Sequence, residues 1–209
     1  MQTSNQEEFI INRKSENDVS KRLQNIKLRT YPVPFDLGEI KDNLSISTNA
    51  PSKPSKEQLI NQAFKSHSQG KISEAAKFYQ YFLSQGFTDP DVFSNYGAIC
   101  QEQNQTDKAI YLFKKSISLF PNSPNAYSNL GSVLKDLGKL DEAEILTRKA
   151  IELNENDHIS HNNLGSVLKD LGELEEAEIS TRKAIELNPD FANSHYNLGT
   201  ILIGLDKLK

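Results

Sequence analysis

The chain has 209 residues, of which 24 are Lys or Arg and 28 are Asp or Glu, giving a formal net charge of −4 at pH 7. This balance does not indicate binding to nucleic acid or to an anionic membrane. A single cysteine excludes an internal disulfide framework, so nothing requires an oxidising compartment. The start of the chain lacks the apolar core of a signal peptide, and no run approaches the roughly 18 apolar residues of a membrane span. We therefore expect a soluble, cytoplasmic protein with no nucleic-acid or membrane partner.

The first 55 residues differ in composition from the rest of the chain. They are rich in Ser, Asn, Lys and Glu and end in the segment NAPSKPSK, whose prolines disfavour a helix. This composition predicts disorder for most of residues 1–55. The exception is Tyr31–Ile40, YPVPFDLGEI, which is apolar enough to dock on another surface. It is either a loosely packed extension over the residues that follow or a linear motif that binds a partner.

The remaining residues, 56–209, repeat every 34 positions. The stretch NLGSVLKDLG occurs at 129–138 and again at 163–172, and the match extends over 129–154 and 163–188 with only three differences. The same interval frames four complete repeats and a partial fifth, at 56–89, 90–123, 124–157, 158–191 and 192–209. A fixed period in this range indicates similar structural units stacked on one another.

Each repeat is predicted to form two helices. In the third repeat, apolar residues recur at the spacing of an amphipathic helix: Tyr127, Leu130, Val133, Leu134 and Leu137. Gly138 tolerates the positive φ that ends a helix. The second helix begins with Asp141 and Glu142 and ends near Arg148 and Lys149, which suits the helix dipole. The predicted fold class is therefore all-α, an α-solenoid of stacked antiparallel helix pairs.

These helix pairs resemble the tetratricopeptide repeat, which has the same period and places small residues at its eighth and twentieth positions. The eighth position is filled by Ala63, Gly97, Gly131, Gly165 and Gly199, and the twentieth by Ala75, Ala109, Ala143 and Ala177. Small residues there let neighbouring helices approach closely. The departures from the family pattern are His161 and His195 at the bulky fourth position, Thr147 and Thr181 at the aromatic twenty-fourth, and Phe87 and Glu155 in place of Pro at the thirty-second. They weaken single contacts but leave the resemblance over residues 56–209 intact.

The histidines are the first candidates for chemistry. His158 and His161 stand three residues apart on a predicted helix, and His195 follows His161 by 34 residues. A metal site would need a third ligand with suitable geometry. The reading that we favour is packing between helices, because His161 and His195 occupy the position that Phe93 and Tyr127 fill in earlier repeats.

Other reactive groups are explained by the repeat. Cys100 aligns with Leu134 and Leu168, which predicts a small buried apolar residue that is not a nucleophile. Lys135 and Asp136 are neighbours whose charges cancel, and we expect the pair to be solvated. We therefore predict no catalytic site, no metal and no cofactor.

A binding groove is implied by the resemblance. In the tetratricopeptide repeat family, positions 2, 5, 6, 9, 12 and 13 of a repeat face a concave surface. The sixth position here is always Asn, at Asn61, Asn95, Asn129, Asn163 and Asn197. An amide side chain has a donor and an acceptor, the complement of a peptide group, and the small Ser132 and Ser166 leave room for a bound chain. The series resembles that in the superhelix of O-linked N-acetylglucosamine transferase, where asparagines hold an extended protein substrate. A simpler interpretation is that the repeats inherited this Asn from a common ancestor, since Asn is frequent at this position in the family.

A second binding mode of the family clamps a carboxylate with basic residues at positions 2, 5 and 6. Those positions hold residues such as Glu57, Ile60, Asp91 and Ser94 in this chain, and only Asn95 fits the pattern. This disfavours the clamp. We predict instead a protein–protein interaction scaffold, not an enzyme, that holds an extended polypeptide. The alternative is the substrate-recruiting arm of a larger transferase, of the glycosyltransferase or sulfotransferase type.

The last predicted helix is unusual because nothing follows it. It carries Ile201, Leu202, Leu205 and Leu208, whereas repeat arrays normally finish with a polar capping element. Either this helix caps the stack imperfectly, or the chain is a truncated product or a fragment of a longer protein, which is the interpretation that we favour. Self-association through this helix is a further reading.

Overall fold

Residues 54–206 are described by a computed structural model of the chain. The segment Tyr31–Ile40 and Leu208, both singled out above, lie outside the described residues. Contacts divide the chain into two units, whose described parts are residues 54–121 and 122–206, called here the first and the second unit. All regular structure in the described part of the chain is helical.

Each unit consists of consecutive helices joined by short turns. The first unit contains α1 (Lys56–Ser68), α2 (Ile72–Ser84), α3 (Pro90–Glu102) and α4 (Thr106–Leu119). The second unit contains α5 (Pro124–Asp136), α6 (Leu140–Leu153), α7 (His158–Leu171), α8 (Leu174–Leu187) and α9 (Ala192–Gly204). Two helices thus fall in each predicted repeat, and α9 lies in the partial fifth. None of the helices in residues 54–206 is long and apolar enough to cross a membrane.

Local sequence signals mark the helix ends. Asp157 caps α7, since its carboxylate accepts hydrogen bonds from the backbone N–H groups of Ile159 and Ser160 at 3.2 and 3.1 Å. Gly138 and Gly172 follow or cap the ends of α5 and α7 with φ values of 73° and 85°, which a residue with a side chain seldom adopts. These turns reverse the chain and let each second helix fold back on its first.

Glycine at the eighth position allows the two helices of a pair to touch. A Cβ added at Gly131 would lie 2.7 Å from Cγ2 of Thr147, and one at Gly165 would come still closer to Oγ1 of Thr181. Thr147 is buried, and its hydroxyl donates to the carbonyl of Ala143 at 2.9 Å. Thr147 therefore fits opposite Gly131, because its small side chain faces the glycine and its hydroxyl bonds its own helix. Thr181 is equally buried opposite Gly165, but its hydroxyl has no hydrogen-bond partner among the described residues.

The last helix is better packed than its sequence predicts. Ile201 is fully buried in a cluster with Leu164, Leu168 and Ala177, and Leu205 packs against the same cluster. Ile201 and Leu205 therefore find their partners in the preceding helices, because α9 lies along α7 and α8 and shares their core. Leu202 is only half-buried.

The core of the first unit is aromatic. Tyr79, Phe82 and Phe113 are all fully buried. The Tyr79 hydroxyl lies 3.0 Å from Nδ1 of His67, and burial raises the pKa of Tyr79 to about 12. Cys100 is fully buried as well, as predicted, and burial raises the pKa of its thiol. A buried thiol of this kind is a poor nucleophile.

Candidate functional site

A polar cleft lies on one side of the second unit, where its first helices α5, α7 and α9 follow one another. Its volume is about 210 Å³. The lining side chains are Ser132, Lys135, Asn162, Asn163, Ser166, Asn193, Tyr196 and Asn197. Four of the predicted site residues are therefore brought together, namely Asn163, Asn197, Ser132 and Ser166. Asn129, one repeat earlier on α5, is half-buried and is not part of the lining.

The amide side chains of the cleft join one first helix to the next. Nδ2 of Asn163 donates to Oγ of Ser128 at 3.1 Å, and Nδ2 of Asn197 donates to Oδ1 of Asn162 at 2.9 Å. Asn162 is buried, and its Oδ1 also accepts a hydrogen bond from the Ser194 hydroxyl at 3.2 Å. In both bonds an Asn at the sixth position reaches back to the fifth position of the preceding repeat. One of the two N–H donors of each amide is thereby used within the protein.

The acceptor half of these amides stays available. Within the described residues, Oδ1 of Asn163 and Oδ1 of Asn197 accept no hydrogen bond, and both side chains line the cleft. A carbonyl oxygen held in this way can accept a hydrogen bond from a backbone N–H group of another chain. The cleft therefore presents two acceptors whose positions are fixed by the contacts between helices.

One ammonium group borders the cleft. Nζ of Lys135 lies 3.3 Å from Oδ1 of Asp136 and 3.5 Å from Oγ of Ser166 on the next first helix. The predicted pair with Asp136 is present. The pair is partly exposed to solvent, with 25% of the Lys135 side chain and 55% of the Asp136 side chain accessible.

Four residues of the lining were not predicted as site residues from the sequence: Lys135, Asn162, Asn193 and Tyr196. They occupy positions 12, 5, 2 and 5 of their repeats, all among the positions that the family resemblance assigns to the groove. The signal was thus available. Positions 2 and 5 hold several residue types among the repeats, so no single type marks them, whereas Lys135 recurs as Lys169 and was interpreted only as half of an ion pair. Tyr196 is the most exposed large apolar side chain of the cleft, at 72%.

The predicted site residues of the first unit have different surroundings. Asn61 on α1 is exposed. Asn95 on α3 is half-buried and hydrogen-bonds the hydroxyl of Tyr79, which partly offsets the effect of burial on the pKa of Tyr79. Asn95 is therefore engaged by the aromatic core. A role in binding for Asn61, Asn95 and Asn129 stays a prediction.

The histidines contact the loops that precede their helices. Nε2 of His161 lies 2.9 Å from the carbonyl oxygen of Glu155, and Nε2 of His195 lies 2.7 Å from that of Pro189. His195 is exposed, so the prediction that it packs between helices is wrong; the loop carbonyl holds it outside. Among residues 54–206, no group of three His, Cys, Asp or Glu side chains is placed to hold a metal ion.

Paired antiparallel helices with a fixed period and a small residue at the eighth position of each first helix define an α-solenoid of helical repeats, which confirms the predicted fold class. Family models agree with this class. A model described as TPR repeat matches residues 97–138, and two described as tetratricopeptide repeat match 124–157 with 158–191, and 181–209. The chain belongs to the tetratricopeptide repeat family. No curated protein matches it over its sequence.

Solved structures with this fold include three informative neighbours. MamA from Desulfovibrio magneticus RS-1, from residue 41 to its end, superposes with a TM-score of 0.61 at 20% identity, covering 75% of this chain and 89% of that one. TTC0263, a thermophilic TPR protein of Thermus thermophilus, has a TM-score of 0.63 at 17% identity, with coverage of 73% and 84%. The first TPR of Spaghetti (RPAP3), bound to the HSP90 peptide SRMEEVD, has a TM-score of 0.53 at 26% identity, with coverage of 56% and 93%. The likeness to MamA and to TTC0263 shows the fold alone.

Proposed function

We propose that this protein is a scaffold that binds an extended polypeptide segment in the polar cleft of its second unit. Proteins built from tetratricopeptide repeats generally mediate protein–protein interaction. The observation that carries the finer proposal is the pair of outward acceptors, Oδ1 of Asn163 and Oδ1 of Asn197, each held by a hydrogen bond to the preceding repeat.

The spacing of the repeats suits a main chain in extended conformation. Packed helices lie about 8–10 Å apart, and an extended chain advances about 3.3–3.6 Å per residue. One Asn acceptor therefore meets about every third residue of a bound segment. Such contacts recognise the backbone of the ligand and do not depend on most of its side chains. This suits a scaffold that binds several different partners. Each net hydrogen bond contributes about 0.5–1.5 kcal/mol, so several contacts must act together.

The peptide-bound neighbour supports a peptide as the class of ligand. The TPR of Spaghetti (RPAP3) holds the HSP90 peptide SRMEEVD, which is acidic. The cleft of this protein carries one ammonium, that of Lys135, and this group is paired with Asp136. The arrangement favours backbone recognition over the clamping of a terminal carboxylate. In the described residues, no contact favours the alternative of an arm that recruits substrates for a transferase.

The proposal is tested by removing the acceptors. Peptides would first be selected from a random dodecapeptide library against the parent protein, and their affinity measured by fluorescence anisotropy. Asn163→Ala together with Asn197→Ala should weaken binding about tenfold, since two hydrogen bonds of about 0.5–1.5 kcal/mol each are lost. Circular dichroism should show unchanged helical content.

A matched control distinguishes the loss of the Oδ1 acceptor from the loss of the hydrogen bond between helices. Ser128→Ala removes the partner of Nδ2 of Asn163 but keeps the Oδ1 acceptor, so peptide affinity should change less than threefold, equivalent to less than about 0.7 kcal/mol. Asn129→Ala, at the same repeat position but outside the lining, should likewise have little effect. If the double variant binds the selected peptides as tightly as the parent, the proposal is wrong.

A further inference from the structure

The two acceptors of the cleft restrict the conformation of a bound segment. Asn163 and Asn197 occupy the same position in successive repeats, and each amide donates from Nδ2 to the fifth position of the preceding repeat, at 3.1 and 2.9 Å. Because both amides are anchored in the same way and both line the cleft, their Oδ1 atoms face it in the same sense. Two N–H groups of a ligand that reach both acceptors must therefore point in one direction from its main chain.

A ligand in β conformation does not match this arrangement. Successive residues of a strand face opposite sides, so N–H groups that point in one direction recur at every second residue. At the rise of a strand, such groups lie about 6.7 Å or about 13.4 Å apart. Packed helices are separated by about 8–10 Å, which falls between these two distances. A β-strand can therefore satisfy one acceptor at a time.

A ligand in polyproline II conformation does match it. This conformation has three residues per turn and a rise of about 3.1 Å per residue, so N–H groups that point in one direction recur about every 9.3 Å. That period lies within the separation of packed helices, about 8–10 Å. One turn of the ligand therefore advances by about one repeat of the protein, and both acceptors are reached together.

The rest of the lining suits such a segment. A polyproline II main chain makes no internal hydrogen bonds, so its carbonyl groups need donors from the protein. The hydroxyls of Ser132 and Ser166 and the ammonium of Lys135 line the cleft and can donate. The ring of Tyr196 lines the cleft as well, and aromatic side chains form the grooves in which other domains bind proline-rich segments.

We propose that the ligand is a polyproline II segment that presents a backbone N–H group at every third residue and accepts proline at the residues between. This inference rests on the proposed function, because it specifies the class of polypeptide that the same cleft binds. Proline lacks an N–H group and fixes φ near −65°, so it suits the residues that face away from Asn163 and Asn197 and is excluded from those that face them. A segment of this kind is ordered before it binds and loses less conformational entropy than a flexible chain.

A proline scan tests the proposal on the tightest peptide selected from the random dodecapeptide library. Each residue is replaced in turn by proline, and by alanine as the matched control that keeps the N–H group, and affinity is measured by fluorescence anisotropy. We expect positions at an interval of three residues where proline weakens binding at least fivefold more than alanine does, since each loses one hydrogen bond. Proline at the two positions between should change affinity less than twofold. Sensitive positions two or four residues apart would assign a β conformation, and that or any other pattern overturns the proposal.

Two repeating peptides give a second readout that needs no selection. An acetylated peptide of four Ala-Pro-Pro units has an N–H group at every third residue. In the matched control, six Ala-Pro units, the N–H groups occur at every second residue, so no two of them lie three residues apart, although proline favours the same conformation. In NMR spectra of the isotope-labelled protein, the first peptide should shift the side-chain amide signals of Asn163 and Asn197 at least threefold more than the control at equal concentration. Equal shifts would overturn the proposal.

Failure of this inference can be distinguished from failure of the proposed function. If no selected peptide loses affinity when Asn163→Ala is combined with Asn197→Ala, the cleft does not bind peptides through these acceptors, and both proposals are wrong. If the selected peptides depend on both asparagines but the proline scan shows no interval of three residues, binding in the cleft stands and only the polyproline II conformation of the ligand is wrong.

Discussion

The two units build the same helix pair with different cores, and the same Asn has a different partner in each. In the first unit, Gly97 faces the ring of Phe113, and Asn95 hydrogen-bonds the buried Tyr79. In the second unit, glycine faces threonine, and Asn163 bonds the small polar Ser128 instead of an aromatic core.

This difference shows that the repeat position of a side chain does not by itself set its availability. The geometry of the pair depends on a small residue at the eighth position, which both units keep. The hydrogen-bond partner of the amide at the sixth position depends on its neighbours, which differ between the two units. Aromatic neighbours engage Asn95 with the core, whereas Asn163 is held by a serine and keeps its acceptor towards the cleft.

The largest expected effect comes from filling a glycine contact that both units share. Gly165→Ala should lower the free energy of unfolding by about 1–3 kcal/mol, because the new Cβ would lie 3.2 Å from the carbonyl oxygen of Ala177 and closer to Oγ1 of Thr181. Urea denaturation measures this. Gly199→Ala is the control at an uncovered site; it should raise stability by up to about 1 kcal/mol, since Ala favours a helix over Gly. Equal effects would contradict the contact.

The aromatic core of the first unit should respond to the loss of one hydroxyl. Tyr79→Phe removes the hydrogen bonds with His67 and Asn95 and should lower the free energy of unfolding at neutral pH by about 1–2 kcal/mol. Calorimetry and urea denaturation would measure it. An unchanged free energy of unfolding would mean that Asn95 makes no stabilising hydrogen bond to the core.

The pH dependence of stability gives a second test of this residue. Burial raises the pKa of Tyr79 from 10.0 to about 12. The folded state therefore keeps the proton longer than the unfolded state, and the contribution of this group is complete below pH 10 and is lost as the pH rises to about 12. Burial raises the pKa values of Tyr96 and Tyr127 as well, so the stability of Tyr79→Phe should still fall with pH, but less steeply than that of the parent.

A smaller effect is expected from the serine that holds the amide in the second unit. Ser128→Ala breaks the hydrogen bond from Nδ2 of Asn163 and should lower the free energy of unfolding by about 1 kcal/mol. Ser132→Ala, in the cleft lining, should change it by less than about 0.5 kcal/mol. If both variants unfold at the same urea concentration, the contact between the helices is not stabilising.

The smallest effect concerns the ion pair between second helices. Glu176→Gln removes the charge that Arg148 meets at 2.7 Å. The pair lies near the surface, so the loss should be about 0.5 kcal/mol and should shrink in high salt. Glu186→Gln, which affects a pair within one helix, is the control and should cost less. A loss that does not depend on salt would argue against a screened ion pair.

Much of the fold could be predicted because the same pattern of helix and turn signals recurs in each repeat. The period, the helix stripes and the turn glycines Gly138 and Gly172 are all local signals, and each agrees with the others. Long-range packing was harder. Nothing in the segment that carries Ile201 and Leu205 reveals that both share the core of Leu164 and Leu168. The cleft was predicted in part, because repetition points to Asn163 and Asn197 but not to Asn162 or Tyr196, whose repeat position holds several different residue types.

The sequence alone determined the class of structure, since a 34-residue period with small residues at fixed positions and apolar residues at helical spacing admits stacked helix pairs. Only the tertiary structure decided which polar atoms are free. An Asn side chain has the same two N–H donors and one carbonyl acceptor wherever it occurs in the chain. Neighbours brought together over about one repeat length use one of the donors and leave the acceptor. Hydrogen bonding of that kind depends on distances between helices, which no single segment of the sequence contains.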